Sequence, residues 1–246
     1  MLTPLTAMVL LLAAAAGAFV TTAAGIGGGV FLLAVMSALV PVAVLIPLHG
    51  AVQAAANGWR TLLFLRSIRW PVVLVFTAGC VLGAAAGAPL LVQIPLPWLE
   101  LLLAGFILLM VWSPGIGGVR QYPGVLPLGG AITGALTLFV GATGPFVSAL
   151  LAGHRWDRFV HVGTFAACMA LQHVVKLVVF GLLGFALGEY LPLLVAMILC
   201  SLAGTLAGRR VLHAVNNCWF HRLLAVLLTL LALRLLWSGA TALWGL

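Results

Sequence analysis

The sequence predicts an all-α polytopic membrane protein: an inverted-repeat helical bundle with glycine-broken or re-entrant helices and about 8 to 10 membrane segments. Three observations lead there. Hydrophobic residues make up 65% of the chain and charged residues 6%, with a mean hydropathy of +1.30, far from the composition of a soluble domain. Apolar runs recur at roughly 20 residues, the length of a helix that crosses a bilayer, whereas strands of a membrane barrel are about half as long and alternate. Two glycine breaks, "AAGIGGGVFLL" at Ala23 to Leu33 and "VGATGPFV" at Val140 to Val147, interrupt apolar sequence in both halves of the chain.

Taken in order, the apolar segments cover residues 4–24, 28–40, 43–65, 71–92, 97–113, 125–141, 144–153, 158–185, 190–208 and 222–243. The opening "MLTPLTAMVLLLAAAAGAF" has the apolar core of a signal peptide but no basic start, and it has a counterpart in the second half, so it is read as the first membrane segment. Segments two and seven fall short of the roughly 17 residues needed to cross, and each follows a glycine break; each is expected to form a half-helix or one arm of a re-entrant hairpin. Segments four and nine carry "GAAAG" (Gly83, Gly87) and "GTLAG" (Gly204, Gly208), small faces suited to close helix packing.

Basic residues orient the bundle. Arg66 and Arg69 follow segment three, Arg120 follows five, Arg155 and Arg158 follow seven, and Arg209, Arg210 and Arg222 lie between nine and ten, whereas the connections near Pro95 and Glu189 carry no Lys or Arg. Cytoplasmic loops retain such residues, so both termini are expected outside, with segments three and eight antiparallel. The formal charge of +8 reports this orientation rather than a nucleic-acid surface.

A shift of 116 positions puts Gly25 on Gly141, Gly28 on Gly144, Asn57 on His173 and Arg60 on Lys176. This divides one transmembrane domain into a first repeat, 1–116, and a second, 117–246. Glycine-broken helices in inverted repeats place a carrier's site near the midplane, between the repeats. Gly27, Gly28 and Gly29 on one side and Gly141, Thr143, Gly144 and Pro145 on the other free backbone amides that tolerate the membrane only where they meet protein, water or ligand. If the short segments begin there, their positive ends form a cradle for an anion.

Lys176 lies well inside segment eight, where a lysine costs roughly 2.5 to 3.5 kcal/mol, with Gln172 and His173 on the same helical face. His49, Gln53, Asn57 and Arg60 form a similar stripe in segment three. Cationic, amide and imidazole donors suit an oxyanion. Arg60 has the alternative of reaching toward the cytoplasmic surface near Arg66, and His49 and His161 that of hydrogen-bonded packing; proton coupling through histidine is a further option. Glu100 and Glu189 sit near outer ends and Asp157 at a helix start, so a carboxylate path for Na⁺ or a metal is not expected. Cys80, Cys168, Cys200 and Cys218 lack metal or disulfide spacing and read as small hydrophobes. There is no phosphate loop, GxSxG elbow or HExxH helix, so no catalytic residue or cofactor is assigned.

"GIGGG" after the first helix, its degenerate copy "GATGP" after the sixth, the long helix with Asn57 and the two-half organisation together resemble the sulfite exporter TauE/SafE family of membrane permeases. The resemblance implies export of sulfite, sulfoacetate or related anions across the bacterial cytoplasmic membrane. The second glycine cluster is reduced here, and His173 stands opposite Asn57 where a polar amide is expected. The resulting expectation is a secondary carrier for a small oxyanion, acting by alternating access as a monomer or homodimer. An anion channel, an intramembrane enzyme and an accessory scaffold are the alternatives.

Overall fold

The computed structural model describes residues 3–24, 27–91, 93–112, 124–141, 143–152, 154, 156–185, 188–211 and 218–244. Gly25, Arg120, Arg155 and the boundary at 116–117 lie outside the described residues, as do the side chains of Cys218 and Arg222. Ten α-helices form among them: α1 (Pro4–Ala24), α2 (Gly28–Leu39), α3 (Val42–Leu63), α4 (Trp70–Leu91), α5 (Leu96–Trp112), α6 (Val125–Val140), α7 (Gly144–Ala152), α8 (Arg158–Leu182), α9 (Leu191–Val211) and α10 (Cys218–Trp244). Each matches one predicted segment. Three boundaries differ by three or more residues: α10 begins at Cys218, four positions before the predicted 222, and two helices end elsewhere. α8 stops before residue 185 because the chain turns at Gly184 and the Phe185 N–H returns to the Phe180 carbonyl at 2.9 Å. α9 runs on through Arg209 and Arg210 to Val211, where hydropathy no longer marks a helix that leaves the apolar layer.

Four of the described helical stretches are long and apolar enough to cross a membrane: Pro4–Ala23, Trp70–Leu91, Arg158–Leu182 and Gly188–Val211. Large apolar side chains cover the outside, with Leu182 84% and Trp237 72% exposed, as expected where the solvent is lipid. Inside, Leu10, Leu32, Leu33, Met36, Leu45 and Leu48 form the centre of one cluster, and Val73, Phe76, Cys80, Val147, Leu151 and Cys168 that of a second.

Glycine sets the tightest helix contacts. α4 lies parallel to α6, with Gly79, Gly83 and Gly87 against Pro127, Ala131 and Ala135; a Cβ at Gly83 would overlap the Ala131 carbonyl. α9 lies parallel to α1 in the same manner, with Gly204 against the Ala15 carbonyl and Gly208 against Phe19. The 116-position shift carries Ala15 to Ala131 and Phe19 to Ala135, so the two contacts correspond, each joining a helix of one half to a helix of the other. Without side chains at the crossing, backbones approach closely enough for dispersion and Cα–H···O contacts to hold helices together in lipid.

The remaining major pairs are α3 with α8 and α5 with α10. Gly50 of α3 packs on Lys176 of α8, while Phe64 packs on Gly163, so α3 and α8 run antiparallel. At one end of the bundle the Arg69 N–H donates to Thr164 Oγ1 at 3.1 Å and the Arg158 guanidinium donates to the Ala23 carbonyl at 2.6 Å. Gly208 packs on Phe19 and Thr22 near the same end. These contacts gather exposed Arg66, Arg69, Arg158, Arg209 and Arg210 on one side. Glu100 and Glu189, near the starts of α5 and α9, occupy the other.

Candidate functional site

Both glycine breaks open short helices toward the middle of the protein. Gly27 (φ 100°) precedes α2 and Gly141 (φ 79°) follows α6, conformations that a side chain would strain. Gly28 has a different role. A Cβ there would overlap the Gly17 carbonyl and Thr21 Oγ1, so this glycine lets α2 fold back tightly on α1. Its α7 counterpart, Gly144, has ordinary contacts with Phe165 and Met169.

Between the breaks and the α3/α8 pair lies a cavity of about 20 Å³. Its walls come from both halves: Thr21, Gly27, Gly29, Val30, His49, Gln53 and Asn57 from the first, and Gly144, Pro145, Phe165, Met169 and His173 from the second. The 116-position shift maps His49, Gln53 and Asn57 onto Phe165, Met169 and His173, so α3 and α8 present corresponding positions. The chemistry is lopsided: α3 contributes three polar groups and α8 one.

Local bonds fix the polar wall. Asn57 Nδ2 donates to the Gln53 carbonyl at 2.8 Å and to Gln53 Oε1 at 3.3 Å, and the first of these fixes which atom of the Asn57 amide is nitrogen. Gln53 lies against Gly29, where an added Cβ would stand 3.4 Å from Oε1. His49 Nε2 donates to the Gly29 carbonyl at 2.9 Å, tying α3 to the first turn of α2. His173 meets His49 edge-on, ring centroids 6.0 Å apart. His49 Nδ1, Asn57 Oδ1 and His173 Nδ1 are buried with no hydrogen-bond partner among the described residues, an arrangement that costs about 1 to 3 kcal/mol per group unless a ligand or water meets it.

Six of the residues singled out from sequence lie behind this wall. Lys176 is fully buried; its Nζ donates to the Gly141 carbonyl at 3.3 Å and its stem crosses Gly50. Gln172 Nε2 donates to the Thr133 carbonyl at 2.9 Å and to Thr143 Oγ1, anchoring the second break. Arg60 is 1% exposed, with Nε donating to the Ala56 carbonyl at 3.2 Å; it does not reach the surface beside Arg66. Gly141 and Thr143 therefore serve as partners of α8 side chains, and Gly28 as a packing position. Among the described residues, the bonds of Lys176 and Arg60 go to carbonyl oxygens and not to carboxylates, so both bring positive potential. Asp157 instead caps α8, accepting from the Phe159 and Val160 N–H groups at 2.9 and 3.1 Å.

Thr21, Val30, Phe165 and Met169 are wall residues that the sequence reading did not name. The shift that paired Asn57 with His173 also marks Phe165 and Met169, but both are apolar and attract no attention as ligands. Among the described residues no three His, Cys, Asp or Glu side chains gather as a metal site would require.

Comparison with curated proteins and with solved structures returned no match. The family model described as Sulfite exporter TauE/SafE matches residues 9–235, nearly the whole of the 246-residue chain and both halves of the cavity. The chain therefore belongs to the sulfite exporter TauE/SafE family, membrane transporters of sulfur-containing anions.

Proposed function

We propose that this protein is a secondary carrier that exports a small oxyanion, such as sulfite or an organosulfonate, across the bacterial cytoplasmic membrane by alternating access. One observation carries the reading: a small interior cavity walled by corresponding positions of both sequence halves, at the first turns of two short helices. N-terminal amides and the helix dipole favour an anion there, and the buried charges of Lys176 and Arg60 add to that potential. The wall residues Gly27, Gly29, Gln53, Asn57, Gly144, Pro145 and His173 contact the anion. Behind them, Lys176, Arg60, Gln172, Gly28, Gly141 and Thr143 hold the cradle's shape and charge. The crossed helix pairs and antiparallel α3 and α8 support an inverted repeat, and the gathered arginines support a cytoplasmic face at that end, with both termini outside.

The test is counterflow of labelled sulfite in liposomes containing the purified protein. Transient accumulation by the native protein that Lys176→Gln abolishes fits a carrier with an oxyanion site. Sulfite flux without counterflow indicates a channel instead, and absence of both flux and binding for sulfite and sulfonates overturns the reading.

A further inference from the structure

His49 joins α3 to the break, and its hydrogen bond fixes its proton. A carbonyl oxygen only accepts, so the 2.9 Å contact with Gly29 requires the hydrogen on Nε2. The neutral ring then has a bare Nδ1, which accepts and cannot donate. That nitrogen is fully buried in a cavity-wall residue and has no partner among the described residues. Asn57 Oδ1, in the same wall, is likewise an unpartnered acceptor. A fully deprotonated oxyanion also brings acceptors only, so it and the neutral His49 ring have no hydrogen to share.

A second proton on His49 removes the conflict, because the imidazolium donates from both nitrogens. The surroundings determine when that proton arrives. Lys176 packs against Gly50, the residue next to His49, His173 stands edge-on, and Arg60 is buried on the same helix. From α1, α2 and α7 the wall presents Thr21, Gly27, Gly29, Val30, Gly144 and Pro145, none of which titrates. The charged residues of α5 and α9, namely Glu100, Arg209 and Arg210, lie toward the ends of the bundle. Another positive charge is therefore opposed while the cavity holds no anion and favoured once an anion neutralises the field.

We propose that His49 takes up one proton at Nδ1 for each anion that enters the cavity, so that the carrier moves anion and proton together. The inference rests on the oxyanion reading of the site. By linkage, the factor by which the anion strengthens proton binding is the factor by which the proton strengthens anion binding.

The test is nitrogen NMR of the full chain, labelled with ¹⁵N-histidine in lipid bilayers, with and without saturating sulfite; binding of labelled sulfite is measured on the same preparation. His49→Gln identifies the His49 resonances by their loss; if that variant does not fold, single replacements of His154, His161, His173, His213 and His221 by Gln identify them by elimination. The expected result is that sulfite converts the bare Nδ1 signal of His49 into a protonated one. Bound sulfite with the Nδ1 signal unchanged overturns proton coupling and leaves the oxyanion site standing. No bound sulfite overturns the site itself, and the coupling with it.

Discussion

Replacing Lys176 by methionine should stabilise the protein while disabling transport. A lysine deep in a membrane helix costs about 2.5 to 3.5 kcal/mol. What offsets this cost is small: one hydrogen bond to the Gly141 carbonyl at 3.3 Å, long for a charge-assisted bond, with no carboxylate partner among the described residues. Losing that bond and leaving the Gly141 oxygen unpaired costs about 2 kcal/mol. Methionine is of similar length, so its side chain still covers Gly50 and opens little new cavity. The net expectation is a gain of about 1 kcal/mol, with sulfite affinity reduced at least tenfold, or about 1.4 kcal/mol. Denaturant unfolding in detergent, followed by tryptophan fluorescence, and labelled-sulfite binding on the same samples give both numbers. Destabilisation by more than about 1 kcal/mol would show that the bond to Gly141 is the main purpose of the residue. Unchanged affinity would remove Lys176 from the site.

Gly83→Val and Gly204→Val should each destabilise by about 1 to 3 kcal/mol or more, because an added Cβ overlaps a backbone carbonyl that has no rotamer to yield. Gly58→Ala, in a helix with nothing within 4 Å of the new methyl, should stabilise by about 0.5 to 1 kcal/mol in the same unfolding assay. Asp157→Ala should cost about 1 kcal/mol by uncapping α8, and Asp157→Asn much less. In whole cells, a membrane-impermeant maleimide should label Glu189→Cys and spare Arg66→Cys and Arg209→Cys in a background lacking native cysteines; the reverse pattern would invert the proposed orientation.

Most of the helical layout was legible because hydropathy and glycine act locally. All ten helices follow from runs of apolar residues, and the breaks at Gly27 and Gly141 follow from residues that alone accept the backbone angles found there. Asn57 and His173, which the 116-position shift pairs, both line the cavity wall. What the sequence could not show is which side of a helix faces the cavity and which is spent on support. Lys176 and His173 lie one helical turn apart on the same face, yet His173 lines the cavity and Lys176 reaches past Gly50 to Gly141. That difference depends on the helix packed opposite, not on spacing along α8. Gly28 looked like part of the break, but only the position of Gly17 in α1 shows it to be a packing residue.

The crossed glycine contacts constrain how the proposed carrier would open. Gly83 on Ala131 and Gly204 on Ala15 each join a helix of residues 1–116 to one of residues 117–246 at backbone contact. Rocking one half as a rigid body against the other would separate both contacts, and in lipid no hydrophobic drive brings the helices back together. In the proposed carrier the α1/α9 and α4/α6 pairs would therefore move as units, each drawn from both halves. The cavity of about 20 Å³ has room for one water, not for the four heavy atoms of sulfite, so binding requires expansion. The yielding surfaces are those that lack glycine-to-carbonyl locking: the α3/α8 seam, where Gly50 meets a flexible lysine stem, and the first turn of α7, where a Cβ added at Gly144 would stand 3.5 Å from the Phe165 side chain, whereas Gly28 locks the first turn of α2 against the Gly17 carbonyl. Expansion along those surfaces enlarges the anion's surroundings while the crossed pairs stay intact, placing the moving parts at the seam between corresponding helices rather than at the boundary between the sequence repeats.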